Sequence, residues 1–405
     1  MQRFTVERTA MLTALKAAKL AKSNHSPITA LANAFIKVAD GEAKVQCSNL
    51  DMTITYTIKA SSEGPVELLI DANSLINVLT SAKGVPVITF EADKGEVNLL
   101  NGDTILTTMA YGDPRDFPKI PAVIPTLTFG FSRRLIESLP AALSTVSVDE
   151  MRPVLTGVCL EALPNGLVMT GTDGHRLFSF YLPTDVIQAE WVDSAPEGAF
   201  IGDSEKKKDT DYVLTGAGNL PVVKGAIRTI VPAASLKALV SLTKNISPVK
   251  FCASTSHFEF TSTNWSLTGR LIDGHYPQYQ GVMPTDAALT WGFNTQDMMD
   301  AIARILPATC QLNNLARFAI TEGKTTISAS DPDRGISASE TVLTKVTGSD
   351  LTIGFSAKYF LQMLKVLPGK RVTLYATESD SGILWSSGSR GLASAVYLLM
   401  PIRMW

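Results

Sequence analysis

The chain has 405 residues, 45% of them hydrophobic and 18% charged, and its 36 lysines and arginines against 38 aspartates and glutamates leave a net charge of −2. That composition excludes a disordered, collagen-like or strongly basic chain, and no apolar run approaches the roughly 20 residues that a membrane-crossing helix needs. Met1-Gln2-Arg3-Phe4 opens a strand pattern rather than a signal peptide, so the expected location is cytoplasmic.

In chain order, Phe4-Thr5-Val6 reads as a strand feeding a helix over 9–22, where Met11, Leu12, Leu15 and Leu20 recur at helical spacing. Ile70-Asp71-Ala72-Asn73-Ser74-Leu75 opens a second junction of the same kind. The pair then recurs twice. Phe129-Gly130-Phe131 leads into a helix over 132–146, with Val231-Pro232-Ala233-Ala234-Ser235-Leu236 after it. Trp291-Gly292-Phe293 leads into a helix over 295–306, with Phe355-Ser356-Ala357-Lys358-Tyr359-Phe360 after it. Between them, stretches such as 85–98 and 249–263 alternate apolar and polar residues and end in Gly, Asn or Asp turns, the pattern of antiparallel meanders.

Spacing turns these likenesses into repeats. Val6 to Ile70 spans 64 residues, Phe293 to Phe355 spans 62 and Phe131 to Val231 spans 100, so the middle repeat follows the same plan with about 37 residues more. The surplus is expected at about 183–223, where Glu205-Lys206-Lys207-Lys208-Asp209 and nearby Gly and Pro residues read as an exposed excursion. The expected class is α+β: three domains, 1–125, 126–284 and 285–405, each made of two strand-helix-meander modules whose amphipathic helices cover antiparallel sheets.

Charge follows the elements. The six helices and their flanks carry Lys16, Lys19, Lys22, Lys83, Arg133, Arg134, Lys237, Lys244, Arg304, Lys358 and Lys365, against Glu137, Asp297 and Asp300, which gives +8 on the helices and −10 elsewhere. Helix propensity also favours Lys and Arg, but Glu shares that propensity and appears once. If the helices line a hole and the sheets form the outside, a positive lumen attracts phosphates and an acidic exterior repels them. The fifth helix, with Asp297 and Asp300, fits this pattern poorly.

The four cysteines, Cys47, Cys159, Cys252 and Cys310, have neither metal-site nor disulfide-framework spacing and read as buried, reduced thiols. Asp173, His175 and Arg176 in Thr170-Gly171-Thr172-Asp173-Gly174-His175-Arg176-Leu177 admit an acid–base reading, for instance in a hydrolase. Asp173-Gly174 is also a tight-turn dipeptide between the strands 167–170 and 177–181, which needs no chemistry. No Gly-rich phosphate loop, HExxH or GxSxG accompanies the cluster, and His25, His257 and His275 stand apart, so no catalytic residue, metal or cofactor is expected.

Thr172-Asp173-Gly174-His175-Arg176-Leu177 joins three further segments: Arg152-Pro153-Val154-Leu155-Thr156-Gly157, Leu271-Ile272-Asp273-Gly274-His275-Tyr276-Pro277-Gln278-Tyr279, and Met400-Pro401-Ile402-Arg403. In this order, over the whole chain, they resemble the bacterial DNA polymerase III β subunit family, the sliding clamps. The resemblance implies a homodimeric ring of six domains, helices inside, that encircles duplex DNA regardless of sequence and catalyses nothing. It also implies a hydrophobic pocket between the second and third domains for linear peptides of the polymerase III core, the clamp loader and repair polymerases. By motif position that pocket takes Leu155, Thr172, Gly174, His175, Arg176, Leu177, Pro277, Val282, Ser356, Tyr359, Leu398, Met400, Pro401 and Arg403. Apolar members suit hydrophobic anchors, while His175, Arg176 and Arg403 suit hydrogen bonds to the peptide.

This sequence departs from the family pattern at several places. Gly281 stands where a pocket arginine is common and Ser356 where an asparagine is common, which implies an altered peptide preference. Asp149 and His25 change the expected DNA-loop contacts, and Trp405 follows Met404 either at the pocket rim or in packing. The subunit interface is expected between the strand at 104–109 of the first repeat and the region after Arg304 of the third. A monomeric peptide-binding scaffold that lost the ring is the remaining rival.

Overall fold

The computed structural model describes residues 2–23, 28–163, 166–183, 227–244, 248–284, 287–387 and 394–404. His25, Trp405 and positions 184–223 of the expected middle-repeat surplus lie outside the described residues.

The first repeat runs β1 (Gln2–Glu7), α1 (Arg8–Ala18), β2 (Asn33–Ala39), β3 (Glu42–Ser48), β4 (Met52–Ser62), then β5 (Val66–Asp71), α2 (Ala72–Ser81), β6 (Val87–Asp93), β7 (Glu96–Asn101) and β8 (Thr104–Ala110). The second runs β9 (Leu127–Phe131), α3 (Arg133–Thr145), β10 (Gly157–Leu163), β11 (Gly166–Thr172), β12 (Arg176–Pro183), then β13 (Ile227–Pro232), α4 (Ala233–Leu242), β14 (Val249–Ala253), β15 (His257–Thr261) and β16 (Trp265–Arg270). The third runs β17 (Leu289–Asn294), α5 (Thr295–Ile305), β18 (Leu315–Thr321), β19 (Lys324–Asp331), β20 (Ile336–Thr347), then β21 (Leu351–Ser356), α6 (Ala357–Val366), β22 (Arg371–Ala376), β23 (Ile383–Ser387) and β24 (Ser394–Leu399). Every strand-to-helix junction expected from the sequence is present. The first helix is shorter than 9–22, because Lys19–Ala21 tightens into a 3₁₀ turn.

Local chemistry explains these junctions. Asp71 and Asn294 accept backbone N–H groups of the first turns of α2 and α5, and Ser132 does so for α3, satisfying donors that a helix start leaves open. In α1, Met11, Ala14, Leu15 and Ala18 are buried at helical spacing, and in β3 Ala43, Val45 and Cys47 are buried at a period of two. Arg8, just ahead of the expected helix start, donates to the carbonyls of Leu79 and Val85 and closes the exposed end of α2.

The described residues form two compact units, 2–131 with 234–271, and 132–183 with 227–233 and 272–404. Each holds one 12-stranded antiparallel sheet. Within every repeat, the strand that opens one half pairs with the first meander strand of the other half: β1 with β6, β5 with β2, β9 with β14, β13 with β10, β17 with β22 and β21 with β18. β1 also pairs with β4, and β17 with β20, so those repeats are continuous. The middle repeat contributes β9, β14–β16 and most of α4 to the first unit, and α3 and β10–β13 to the second.

Sheets also continue from one repeat to the next. β4 pairs with β16 in the first unit, and β12 pairs with β24 in the second. In both seams the closing strand of a repeat's first half meets the closing strand of the following repeat's second half. The counterparts β8 and β20 have no such partner among the described residues: β8 pairs only with β7, and the opening half of β20 pairs only with β19.

Three of the cysteines, Cys47, Cys159 and Cys252, are buried as expected. Cys310 is only half-buried, because it lies in the loop before β18 rather than on an inward strand face.

Candidate functional site

The seam between β12 and β24 carries a cleft. Its floor follows from strand register: Thr172 of β11, Leu177 of β12 and Leu398 of β24 stand side by side across three strands, with Leu384 of β23 next in the row and buried behind them. Leu155 closes one end from the 3₁₀ turn Pro153–Leu155, and the segment leaving β16 forms the far wall with Pro277, Gln278, Tyr279 and Val282. Gly174, Arg176 and Met400 complete a cleft of about 170 Å³. Leu177 and Leu398 are buried and Val282 is 52% exposed, so the apolar lining runs from a fixed floor to an open mouth.

A second cleft of about 530 Å³ is lined by His175, Ser356, Lys358, Tyr359, Pro401, Ile402 and the loop 311–314, and shares Met400 with the first. Together the two bring in every pocket residue expected from the sequence except Arg403, which is exposed and lines neither. Ser356 is buried at the start of α6. Gly281 has no atom within 4 Å of where a side chain would begin, so the position of the expected arginine is open space.

The turn 173–175 joins the clefts, and it is stapled from inside. Gly174 has φ +89°, a left-handed conformation that glycine adopts without strain. Asp173 accepts from the backbone N–H groups of His175 and Arg176 through Oδ1 and from Arg176 Nε through Oδ2. Arg176 also donates to Gln362 of α6 and lies over the Tyr359 ring, 4.1 Å from its centroid. The carboxylate that suggested acid–base chemistry is therefore engaged in holding the turn. Arg176 ties β12 to α6, and its Nε and one terminal nitrogen are already committed.

Behind the cleft wall, Tyr279 donates to Glu161 Oε1 at 3.2 Å, and Glu161 pairs with Arg228 across β10 and β13. Burial first, and the Glu161 carboxylate second, push the Tyr279 phenol well above its usual range. Tyr276 donates to the Thr170 carbonyl and joins Tyr279, Cys159, Leu177 and Ile230 in one buried cluster. The sequence reading missed Gln278, Tyr279, Gln362, Glu161 and Arg228. Gln278 and Tyr279 had a signal, since they end the segment 271–279 quoted for the resemblance; the other three did not.

The basic helix residues are exposed. Lys16, Lys19, Lys83, Arg133, Arg134, Lys237, Lys244, Lys358 and Lys365 reach solvent, and Lys22 is half-buried. Arg133 pairs with Glu137, and Arg304 with Glu340. None of the lysines among these forms an ion pair with the described residues. Asp149 pairs with Arg152, and the backbone N–H of Met151 first, then the Arg152 guanidinium, hold its carboxyl below the usual range. Among the described residues no group of three or more His, Cys, Asp or Glu side chains gathers to hold a metal, and no helix is long and apolar enough to cross a membrane.

Comparison with known proteins agrees with this geometry. Residues 2–121 match the family model of the DNA polymerase III beta subunit, N-terminal domain, and residues 280–403 match that of its C-terminal domain. The beta sliding clamp of Streptococcus pneumoniae is 24% identical over 383 residues, covering 92% of this chain and 91% of that protein. That of Pseudomonas putida is 23% identical over 406 residues, covering 99% and 100%. Among solved structures, the sliding clamp of Pseudomonas aeruginosa bound to griselimycin superposes over 100% of both chains with a TM-score of 0.83 at 20% identity. The clamp of Bacillus subtilis does so with a TM-score of 0.82 at 21% identity.

Proposed function

Because the chain belongs to the family of bacterial DNA polymerase III β subunits, the β sliding clamps, we propose that two copies join head to tail into a ring around duplex DNA. As a member of that family it is a processivity factor of DNA replication. The observation that carries the ring is the seam rule. β4–β16 and β12–β24 repeat one pairing, and the same pairing between copies joins the open edge of β8 to the open half of β20. Ile105 and Leu106 on β8, and Ile336 and Leu343 on β20, are exposed there. Domains at 1–125, 126–284 and 285–405 fit the matched stretches 2–121 and 280–403.

In this reading Lys16, Lys19, Lys22, Lys83, Arg133, Arg134, Lys237, Lys244, Lys358 and Lys365 face the DNA. Unpaired lysines suit this role, since a mobile ammonium meets phosphates without fixing register. The two clefts take linear peptides of the polymerase III core, the clamp loader and repair polymerases in the cytoplasm, with no catalytic step. The apolar cleft seats hydrophobic side chains, and His175 and Tyr359 frame the second.

Light scattering tests the assembly. A mass twice 43.5 kDa is expected, whereas a protomer mass at micromolar concentration favours the monomeric scaffold.

A further inference from the structure

The β4–β16 seam repeats the backbone of the β12–β24 cleft but not its chemistry. Ser48, Thr53, Thr268 and Glu259 form one row across β3, β4, β16 and β15, as Thr172, Leu177, Leu398 and Leu384 do in the other seam. Asn49 Oδ1 accepts from the backbone N–H groups of Asp51 and Met52, as Asp173 Oδ1 does from those of His175 and Arg176. Ser48 Oγ accepts from the Leu50 N–H and donates to the Met52 carbonyl, and Thr172 Oγ1 does the same for Gly174 and Arg176. Across the seam the Arg270 N–H donates to the Asp51 carbonyl, as that of Met400 does to His175. The wall comes from the chain leaving β8, where buried Phe117 precedes Pro118 just as buried Tyr276 precedes Pro277.

Side chains at the matched positions differ in kind. This cleft, of about 100 Å³, has Thr53 and Thr268 where the other has Leu177 and Leu398, and Arg270 where it has Met400. Both threonine hydroxyls are engaged, Thr53 with Ser48 and Thr268 with Glu259, so the floor is polar and gives a hydrophobic anchor nothing to pack on. Arg270 and, on the wall, Lys119 are exposed, and neither makes an ion pair or a side-chain hydrogen bond among the described residues. Arg176 of the other cleft is instead committed to Asp173 and Gln362. Asp51 is the one acidic residue lining the site. Leu50 occupies the place of Gly174 at φ +76°, a left-handed conformation that a leucine adopts only under strain, and its side chain is 49% exposed at the cleft.

We infer, on the reading of the β12–β24 seam as a peptide cleft, that the β4–β16 seam is a second peptide site of opposite preference, one that docks a partner segment carrying an acidic side chain beside an apolar one. The carboxylate meets Arg270 and Lys119, two unpaired cations against the single Asp51. The apolar neighbour rests on Leu50, which the turn braced by Asn49 holds toward solvent. Leucine or phenylalanine anchors, which suit Leu177 and Leu398, are turned away by the threonine floor. One protomer thus offers two clefts of the same backbone to two kinds of segment.

Two fluorescein-labelled peptides titrated with the full chain in fluorescence anisotropy test it: Gly-Ser-Glu-Leu-Ser-Gly for this cleft and Gly-Ser-Leu-Phe-Ser-Gly for the other. Arg270→Met, which places the second seam's residue in the first, is expected to weaken the Glu-Leu peptide by about tenfold and to leave the Leu-Phe peptide unchanged. Met400→Ala weakens only the Leu-Phe peptide. Replacing the glutamate of the first peptide by glutamine weakens its binding to the wild-type chain but not to the Arg270→Met variant. No binding of the Glu-Leu peptide, equal binding of it by Arg270→Met, or its loss on Met400→Ala overturns the assignment. A Leu-Phe peptide indifferent to Met400→Ala overturns the reading of the β12–β24 cleft instead. Arg270 is solvent-facing, so circular dichroism of its variant is expected to match the wild type.

Discussion

Asp173 and Arg176 form an ion pair, Nε to Oδ2 3.0 Å, in which both side chains are 8% exposed. Because Asp173 also accepts two backbone N–H groups of its own turn, one carboxylate fixes both the conformation of 173–176 and the orientation of the guanidinium that reaches α6. Removing one member of a buried pair strands the other charge and costs about 3–5 kcal/mol. Asp173→Ala is therefore expected to lower the denaturation midpoint clearly and to abolish binding of a polymerase-tail peptide. Unchanged peptide affinity would separate the turn from the binding site.

Tyr279 forms the cleft wall from within a buried cluster, and its hydroxyl donates to Glu161, whose ionic partner is Arg228. Tyr279→Phe keeps the ring and removes that donor from a buried carboxylate, a loss of about 1–3 kcal/mol. Thermal unfolding should shift down, and peptide affinity should fall severalfold. A combined Tyr279→Phe, Glu161→Gln variant should lose less than the two single losses together, because one interaction is removed only once.

Ile105 is exposed on the open edge of β8, so Ile105→Asp disturbs no packed core and should change protomer stability by no more than about 0.5 kcal/mol. In the head-to-tail assembly the new charge meets the partner's strand. Analytical ultracentrifugation is expected to show the protomer at concentrations where the wild-type chain is a dimer. A variant that stays dimeric would move the interface elsewhere.

Thiol chemistry separates the four cysteines. Burial pushes the Cys47 thiol up to about 12, against the opposing pull of Lys22 and Lys19, and burial with the Glu161 carboxylate raises that of Cys159. Since the thiolate is the reactive form, a disulfide reagent at pH 8 should modify Cys310 rapidly in the native protein. Cys47, Cys159 and Cys252 should react only after denaturation.

Much of this fold was legible because strand-to-helix junctions are local. Val6 with Ile70 and Phe293 with Phe355 mark the same two steps 64 and 62 residues apart, and register then follows from alternation. The Asp173-Gly174 turn was equally readable, since its left-handed φ and its Asp173 acceptor lie within four residues. The partners of Arg176 were not. Gln362 lies 186 positions away, and no periodicity announces which arginine is consumed by its own protein. The Glu161-Tyr279-Arg228 network was hidden for the same reason, as two strands and a linker meet there only after folding. Cys310 looked like the other cysteines because composition does not distinguish a loop position from an inward strand position.

Retention on DNA of defined topology tests the central reading most directly. Loaded onto a nicked circular plasmid, the protein should remain bound through gel filtration in salt high enough to strip contacts made by lysines alone, and should be released when the plasmid is cut once. Equal loss from circular and linear DNA, or equal retention on both, would contradict an encircling clamp.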